Sequence, residues 1–393
     1  MDYLVGVDLF FPDQAGGAGR VAWDQMRLMR DRGHSVTVFC RKCRPQQTEI
    51  DEYDGIHVVR FSLPQTRRFD PFKFQRQKQA GLNVARKYLS GTSWDVVHSH
   101  TFLYGLILYG LLGKGPRYIY TSHSPVVLEQ EANWAPEGFK GRLKMLLAGG
   151  ILKRLEGDVI GKAQRIQTLS EFTKNTIDRD HHCADKVSVI PHWCREGFSR
   201  VYSKAEARRK LNWPADGKIL FTVRRLVPRM GLDVAIKGLS PLLHRYKDVN
   251  FAIAGAGPLE NNLKELTRTL GVYEKVWFLG RVDDETLKRC YEGADLFILP
   301  TTALECFGLP ILEAFAFGLP IISTDTSALP EIMAPILPDC MVPAGDAQKL
   351  GEKVNDYLEG RLVMPDADKL VSYVKNNYGV EVIVPRIAEF LEH

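Results

Sequence analysis

Two carboxylates stand in the stretch LECFGLPILEAF, residues 304–315. Glu305 lies just before a Gly308-Leu309-Pro310 turn and Glu313 just after it, following an apolar run that ends at Pro300. Proline suits the first turn of a helix, so a helix starts here and the amides around Cys306 to Gly308 can point at an anion. Glu313 lies too close to such an anion to serve by attraction. It fits as an acceptor from vicinal hydroxyls, as a carboxylate grips a ribose, and Glu305 can accept sugar hydroxyls on the other side. An ordinary helix-start glutamate, favoured by the dipole, is the plainer alternative for each. Upstream, VRRLVPRMG (223–231) sets Arg224, Arg225 and Arg229 at the end of an apolar run, where guanidinium forks suit a diphosphate. AGAGPLE (254–260) adds Gly255 and Gly257.

These loops need a scaffold with several strand ends side by side. Apolar, β-branched runs alternate with amphipathic stretches along the chain. Strands are expected at YLVGVDLF, HSVTVFC, IHVVRF, WDVVHSH, RYIYTS, RIQTLS and KVSVIP, then at ILFTVRRL, VNFAIAG, KVWFLG, ADLFILP and LPIIST. Helical patterns at 18–32, 231–246, 258–270 and 284–292 make this serial β-α, so parallel sheets covered by helices are predicted. At 393 residues the chain exceeds what one core usually organises. The irregular PHWCREGFSRVYSK (191–204) separates the two series. The expected domains are 1–195, completed by a C-terminal helix at about 379–393, and 196–378. In such sheets ligands sit at the carboxyl ends of strands, which is where the loops above fall.

The first such loop, PDQAGGAGR, carries Gly16, Gly17 and Gly19 and lets backbone approach a ligand. Gly17-Ala18-Gly19-x-x-Ala22 fits the relaxed dinucleotide fingerprint, but the turn is long and the second strand ends in Cys40-Arg41 instead of an acidic ribose anchor, which disfavours nicotinamide or flavin. Seven cysteines do not make a secreted disulfide framework. Cys40/Cys43 and the loose group His181, His182, Cys183, His192 and Cys194 lack paired zinc spacing. No run of about 18 apolar residues and no basic leader are present, so a cytoplasmic protein is expected. The net charge of +5 is uneven: residues 1–195 hold 28 Lys/Arg against 20 Asp/Glu, the remainder 24 against 27. Segments 67–78 and 139–156 mix cations with apolar residues, as an anionic membrane or a phosphate-bearing substrate favours, or as a solvated helix face would.

Taken in order, GGAGR, DVVHSH, TSHSP, TLSEFT, RRLVPRMG, AGAGPLENNL, FLGRVDDETLKRCYEGADLFILP and LECFGLPILEAFAFGLPII resemble the retaining glycosyltransferases of family 4 over essentially the whole length. The resemblance implies the GT-B architecture, two Rossmann-like domains facing each other across a cleft. It implies a nucleotide-diphosphate sugar donor, most commonly a UDP-sugar, bound by the second domain. Glu313 would then hold the ribose and Glu305 would lie near the donor sugar. Amides of Phe307, Gly308 and Leu309 would meet its hydroxyls or phosphate. Arg225 would neutralise the diphosphate, and Gly280, Arg281 and Val282 would flank the base. From the first domain Gly17 would approach the phosphates and His123 the reacting sugar, with His100 a further cleft candidate. Two positions depart from the family pattern. Met230 stands where a lysine normally meets the diphosphate, with Arg229 the candidate substitute, and His192 to Arg195 replace an Asn-Gly-x-Asp turn.

The implied reaction is hexosyl transfer with retained configuration to a hydroxyl of a glycan or lipid-linked acceptor. A departing phosphate oxygen can take the acceptor's proton. D-x-D occurs only as Asp178-Arg179-Asp180 and Asp366-Ala367-Asp368, away from expected catalytic strand ends, so no metal or other cofactor is expected. The basic first domain should face the acceptor, with peripheral contact to an anionic membrane and none to nucleic acid. A sugar-nucleotide epimerase or hydrolase of the same plan, and a catalytically silent nucleotide-sugar binder, remain as alternatives.

Overall fold

Strand β1 (Asp2–Gly6) is followed by β2 (Ser35–Arg41), β3 (Ile50–Tyr53), β4 (Ile56–Phe61), β5 (Val96–Ser99), β6 (Arg117–Ser122), β7 (Arg165–Thr168) and β8 (Val187–Val189). These join into one sheet in the order β3-β4-β2-β1-β5-β6-β7-β8 in a computed structural model that describes residues 1–13, 16–64 and 73–393. Gln14 and Ala15 of the first glycine loop, and residues 67–72 of the basic segment 67–78, lie outside the described residues. All pairings but one are parallel, and β1 and β2 are buried almost throughout, which is why they read as unbroken apolar runs. The exception is an edge strand that the sequence reading does not include. β3 pairs antiparallel with β4 and is fully exposed. Its turn, Asp54-Gly55, has both residues at positive φ, the geometry of a two-residue hairpin. One face of the sheet buries Phe39, Phe61, Tyr104 and Ile107, with the Phe39 and Phe61 rings stacked at 5.0 Å.

The second series is β9 (Lys218–Val223), β10 (Val249–Ala254), β11 (Val276–Gly280), β12 (Leu296–Leu299), β13 (Ile321–Thr324) and β14 (Met341–Val342), ordered β11-β10-β9-β12-β13-β14 and parallel throughout. The chain runs outward from β9 to β11 and then crosses back to place β12 on the other side of β9. Diverging connections leave a crevice beyond the carboxyl ends of β9 and β12, the switch point where doubly wound sheets bind ligands. The molecule therefore consists of two Rossmann-like α/β domains with parallel sheets. One unit comprises Met1–Gln130, Phe139–His192 and Val384–His393, the other Glu131–Gly138 and Trp193–Ile383. The C-terminal segment is held in the first unit: the Tyr3 hydroxyl donates to the Leu391 carbonyl at 3.0 Å, and Arg32 donates two hydrogen bonds to Glu392.

Candidate active site

At the switch point of the second unit, β9 runs directly into Arg224 and Arg225. Arg224 turns inward. Its Nη2 donates to Thr301 Oγ1 at 2.8 Å and to Glu305 Oε2 at 2.7 Å, and its side chain is only 4% exposed. Its Nε is buried with no hydrogen-bond partner among the described residues, a donor of the kind that native interiors seldom leave unmatched. Arg225, by contrast, is exposed. Arg229 Nη1 donates to the Leu304 carbonyl at 2.6 Å, and the Thr302 amide donates to the Arg229 carbonyl at 2.9 Å. The loops after β9 and β12 are thereby laced together. Met230 is buried, so a thioether seals the position where the family pattern has its lysine.

Two glycines make this lacing possible. Gly255 (φ 121°) lets the end of β10 pass against the Arg224 carbonyl, and Gly231 (φ 66°) passes against that of Pro300; a Cβ at either would collide with that carbonyl. Gly231→Ala is expected to destabilise the protein by more than about 1 kcal/mol, combining a left-handed backbone with that collision. Chemical denaturation measures it, and an unchanged midpoint would show that the loop has room to spare.

Beyond β12 the chain reaches Leu304, a non-glycine residue at φ 47°, then Glu305. The Glu305 carbonyl accepts from the Ala328 amide at 3.0 Å. Gly308, at φ 108°, caps the helix Leu309–Ala316, with Pro310 in the first turn. Among the described residues, the amides of Phe307, Gly308 and Leu309 have no hydrogen-bond acceptor. They are the free donors that a helix start offers to an anion. The Phe307 side chain is buried against Tyr378, so that residue has only its backbone to offer.

One helical turn on, Glu313 is buried and its two oxygens are held differently. Tyr291 donates to Oε2 at 2.8 Å; Arg195 Nη1 approaches Oε1 at 3.4 Å. Arg195 also binds Asp284 at 2.5 Å and lies 3.9 Å from the centroid of the Phe198 ring. Burial pushes the Glu313 carboxyl up, and Arg195 and Tyr291 work against that shift. A carboxylate has about four acceptor positions, so two remain for a diol. Gly280, at φ 68°, accepts at its carbonyl oxygen from the Gly255 amide at 2.7 Å and leads to exposed Arg281 and half-buried Val282.

Gly17 and His123 belong to the first unit. Gly17 begins the helix Gly17–Asp31 after Gly16, and a Cβ there would meet nothing within 4 Å among the described residues. His98 and His100, at and just after the end of β5, meet the end of β6: His98 Nε2 bonds Thr121 Oγ1 at 2.7 Å and His100 Nδ1 bonds His123 Nε2 at 2.9 Å. Thr121 continues the chain to Gln167, which also accepts from Gln25. Burial depresses both His98 and His123 to about 3, so these imidazoles are neutral at physiological pH. The seven cysteines are all free thiols. Sequence motifs do not single out Arg195 or Tyr291, and the Arg224–Glu305 pair appears only once β9 and β12 are adjacent.

Residues 203–377 match the family Glycosyl transferases group 1 and residues 15–194 match Glycosyltransferase Family 4. The chain belongs to the group 1, family 4 retaining glycosyltransferases, with the GT-B fold. This glycosyltransferase is 27% identical over 314 residues to a D-inositol 3-phosphate glycosyltransferase of Corynebacterium urealyticum, covering 76% of this chain and 72% of that one. It is 25% identical over 314 residues to the alpha-monoglucosyldiacylglycerol synthase of Streptococcus pneumoniae, covering 78% and 67%. Its fold is similar to that of Anabaena HepE, solved in complex with UDP and glucose, with a TM-score of 0.75, 18% identity and 99% of both chains covered.

Proposed function

We propose that this glycosyltransferase moves a hexosyl unit from a uridine-diphosphate sugar to a hydroxyl of a glycan or lipid-linked acceptor, without a metal ion. The observation that carries this reading is the convergence, at one switch point, of three unmatched amides, a cationic loop and two carboxylates held at different depths. The diphosphate lies against the amides of Phe307, Gly308 and Leu309. Arg225 and Arg229 answer its charge, so the positive end of a helix and two guanidiniums do what a bound cation would. Glu313 accepts the ribose hydroxyls, and Gly280 to Val282 flank the base. Glu305 accepts from the donor sugar, and Arg224 fixes that carboxylate by engaging one oxygen, leaving the other for the substrate. From the first unit the family resemblance assigns Gly17 to the phosphates and His123, a neutral imidazole whose Nε2 bonds His100, to the sugar.

In the transfer the bond from the anomeric carbon to the diphosphate breaks and a bond to the acceptor oxygen forms on the same face. The acceptor's proton passes to the departing phosphate oxygen. The protein's task is to stabilise negative charge growing on the diphosphate. Uridine is supported by the UDP in HepE, and a lipid acceptor by the diacylglycerol in the name of the streptococcal relative. Thermal-shift screening against UDP-, GDP- and ADP-sugars, with and without EDTA, tests the donor site. A ligand at 100 times its Kd should stabilise the fold by about 2.7 kcal/mol. The expected result is a UDP-sugar shift that EDTA leaves unchanged; no shift with any nucleotide sugar, or a shift that EDTA removes, overturns the reading.

A further inference from the structure

The first half of the helix Phe139–Lys162 in the first unit is left out of the site above. Its later turns pack inward through Leu152, Val159 and Ile160, and Glu156 accepts from the Tyr120 hydroxyl and the Val126 amide. The first turns instead present Phe139, Leu143, Leu146, Leu147 and Ile151 to solvent, with Phe139 and Leu146 each 81% exposed. These are five of the twelve exposed large hydrophobic side chains among the described residues, gathered on thirteen consecutive positions. At about 3.6 residues per turn they share one side of the helix. Arg142 and Lys153 border that side on one margin and Lys144 on the other, with Lys140 and Arg154 at its ends. Residues 139–155 contain five Lys/Arg, no Asp/Glu, and no Ser, Thr, Asn or Gln.

We infer that this face is a docking surface for an anionic lipid bilayer, the helix lying in the plane of the interface with Phe139, Leu146 and Leu147 inserted. Charge decides the occupant. A stripe bordered by long cationic stems suits phosphate headgroups, because Lys and Arg bury their methylenes and keep their charges in the headgroup layer. A protein interface of this size would show directional hydrogen-bonding groups, and residues 139–155 hold no Ser, Thr, Asn or Gln. The inference is independent of which donor the second unit takes.

The test is co-sedimentation of the full chain with phosphatidylcholine vesicles, with and without phosphatidylglycerol. Binding is expected on the phosphatidylglycerol vesicles, weaker on neutral ones and falling with salt. Leu146→Glu/Leu147→Glu should weaken it by at least about tenfold, from lost insertion. Arg142→Gln/Lys144→Gln should weaken anionic binding while leaving residual neutral binding unchanged. All four side chains belong to the first unit and, Gly17 apart, the residues proposed for the nucleotide belong to the second, so the UDP-sugar thermal shift should persist in both variants. Equal binding to neutral and anionic vesicles, undiminished binding by the leucine variant, or self-association abolished by these substitutions in a protein that binds no vesicle would overturn the inference.

Discussion

Arg224→Met should lower kcat by about 10²- to 10³-fold, the usual effect of disturbing one preorganised polar group at a reacting centre. The guanidinium is buried and holds Glu305 from one side, with Thr301 sharing the same Nη2. Methionine fills similar volume without the charge, so Glu305 loses its fixed orientation. Removing one partner of a buried pair is costly, yet Glu305 is 18% exposed and can turn to water. A stability loss of about 1–3 kcal/mol is therefore expected, below that of a sealed pair. Activity per folded molecule, measured well below the melting transition, separates the two effects: a purely structural residue would leave kcat of the folded fraction untouched. Arg224→Lys should recover part of the rate, because an ammonium keeps the charge but not the fork. Wild-type kcat for the folded Arg224→Met protein would refute the positioning role of Arg224.

The contrast between these two arginines shows what the sequence can and cannot deliver. Parallel strands buried on both faces read as apolar runs, so the β-α alternation and the loops at strand ends are legible without coordinates. Ile50–Tyr53 escapes because an exposed edge strand, IDEY, has no buried face to pattern it; Asp54-Gly55 is its only local signal. The cations and carboxylates of the site are legible by type, since each sits just past an apolar run. Their partnerships are not. Arg224 and Glu305 lie 81 residues apart, and Arg195 and Glu313 lie 118 apart, so which guanidinium faces which carboxylate depends on strand order. The spacing suggests Arg229 as the stand-in for the lysine, and only the fold shows that this side chain also donates to the Leu304 carbonyl while Arg224 reaches Glu305. His100 and His123 meet for the same reason. Each immediately follows a strand, and β5 and β6 are parallel neighbours in register Ser99↔Tyr120.

Glu313→Gln should raise the donor KM by about 10- to 100-fold with a smaller change in kcat, because hydroxyl contacts remote from the breaking bond contribute much the same binding in ground and transition states. The pH dependence gives a sharper signature. Burial raises the Glu313 pKa above its ordinary value, against the pull of Arg195 and Tyr291. An acid raised in the folded state binds its proton more tightly there than in the unfolded chain. Its stabilising contribution is therefore full below the unfolded pKa and is lost as pH rises through the folded one. In the proposed site donor binding runs the opposite way: ribose hydroxyls would donate to the ionised carboxylate, so affinity should hold above the raised pKa and decline as pH falls through it. Donor titrations by calorimetry across this range should show that decline in the wild type and a flat profile in Glu313→Gln. Tyr291→Phe removes a donor to the ionised form and should move the decline to higher pH. A glutamine variant that binds the UDP-sugar as tightly as wild type at every pH would remove the ribose from Glu313 and reduce Arg195 and Tyr291 to packing around a buried acid.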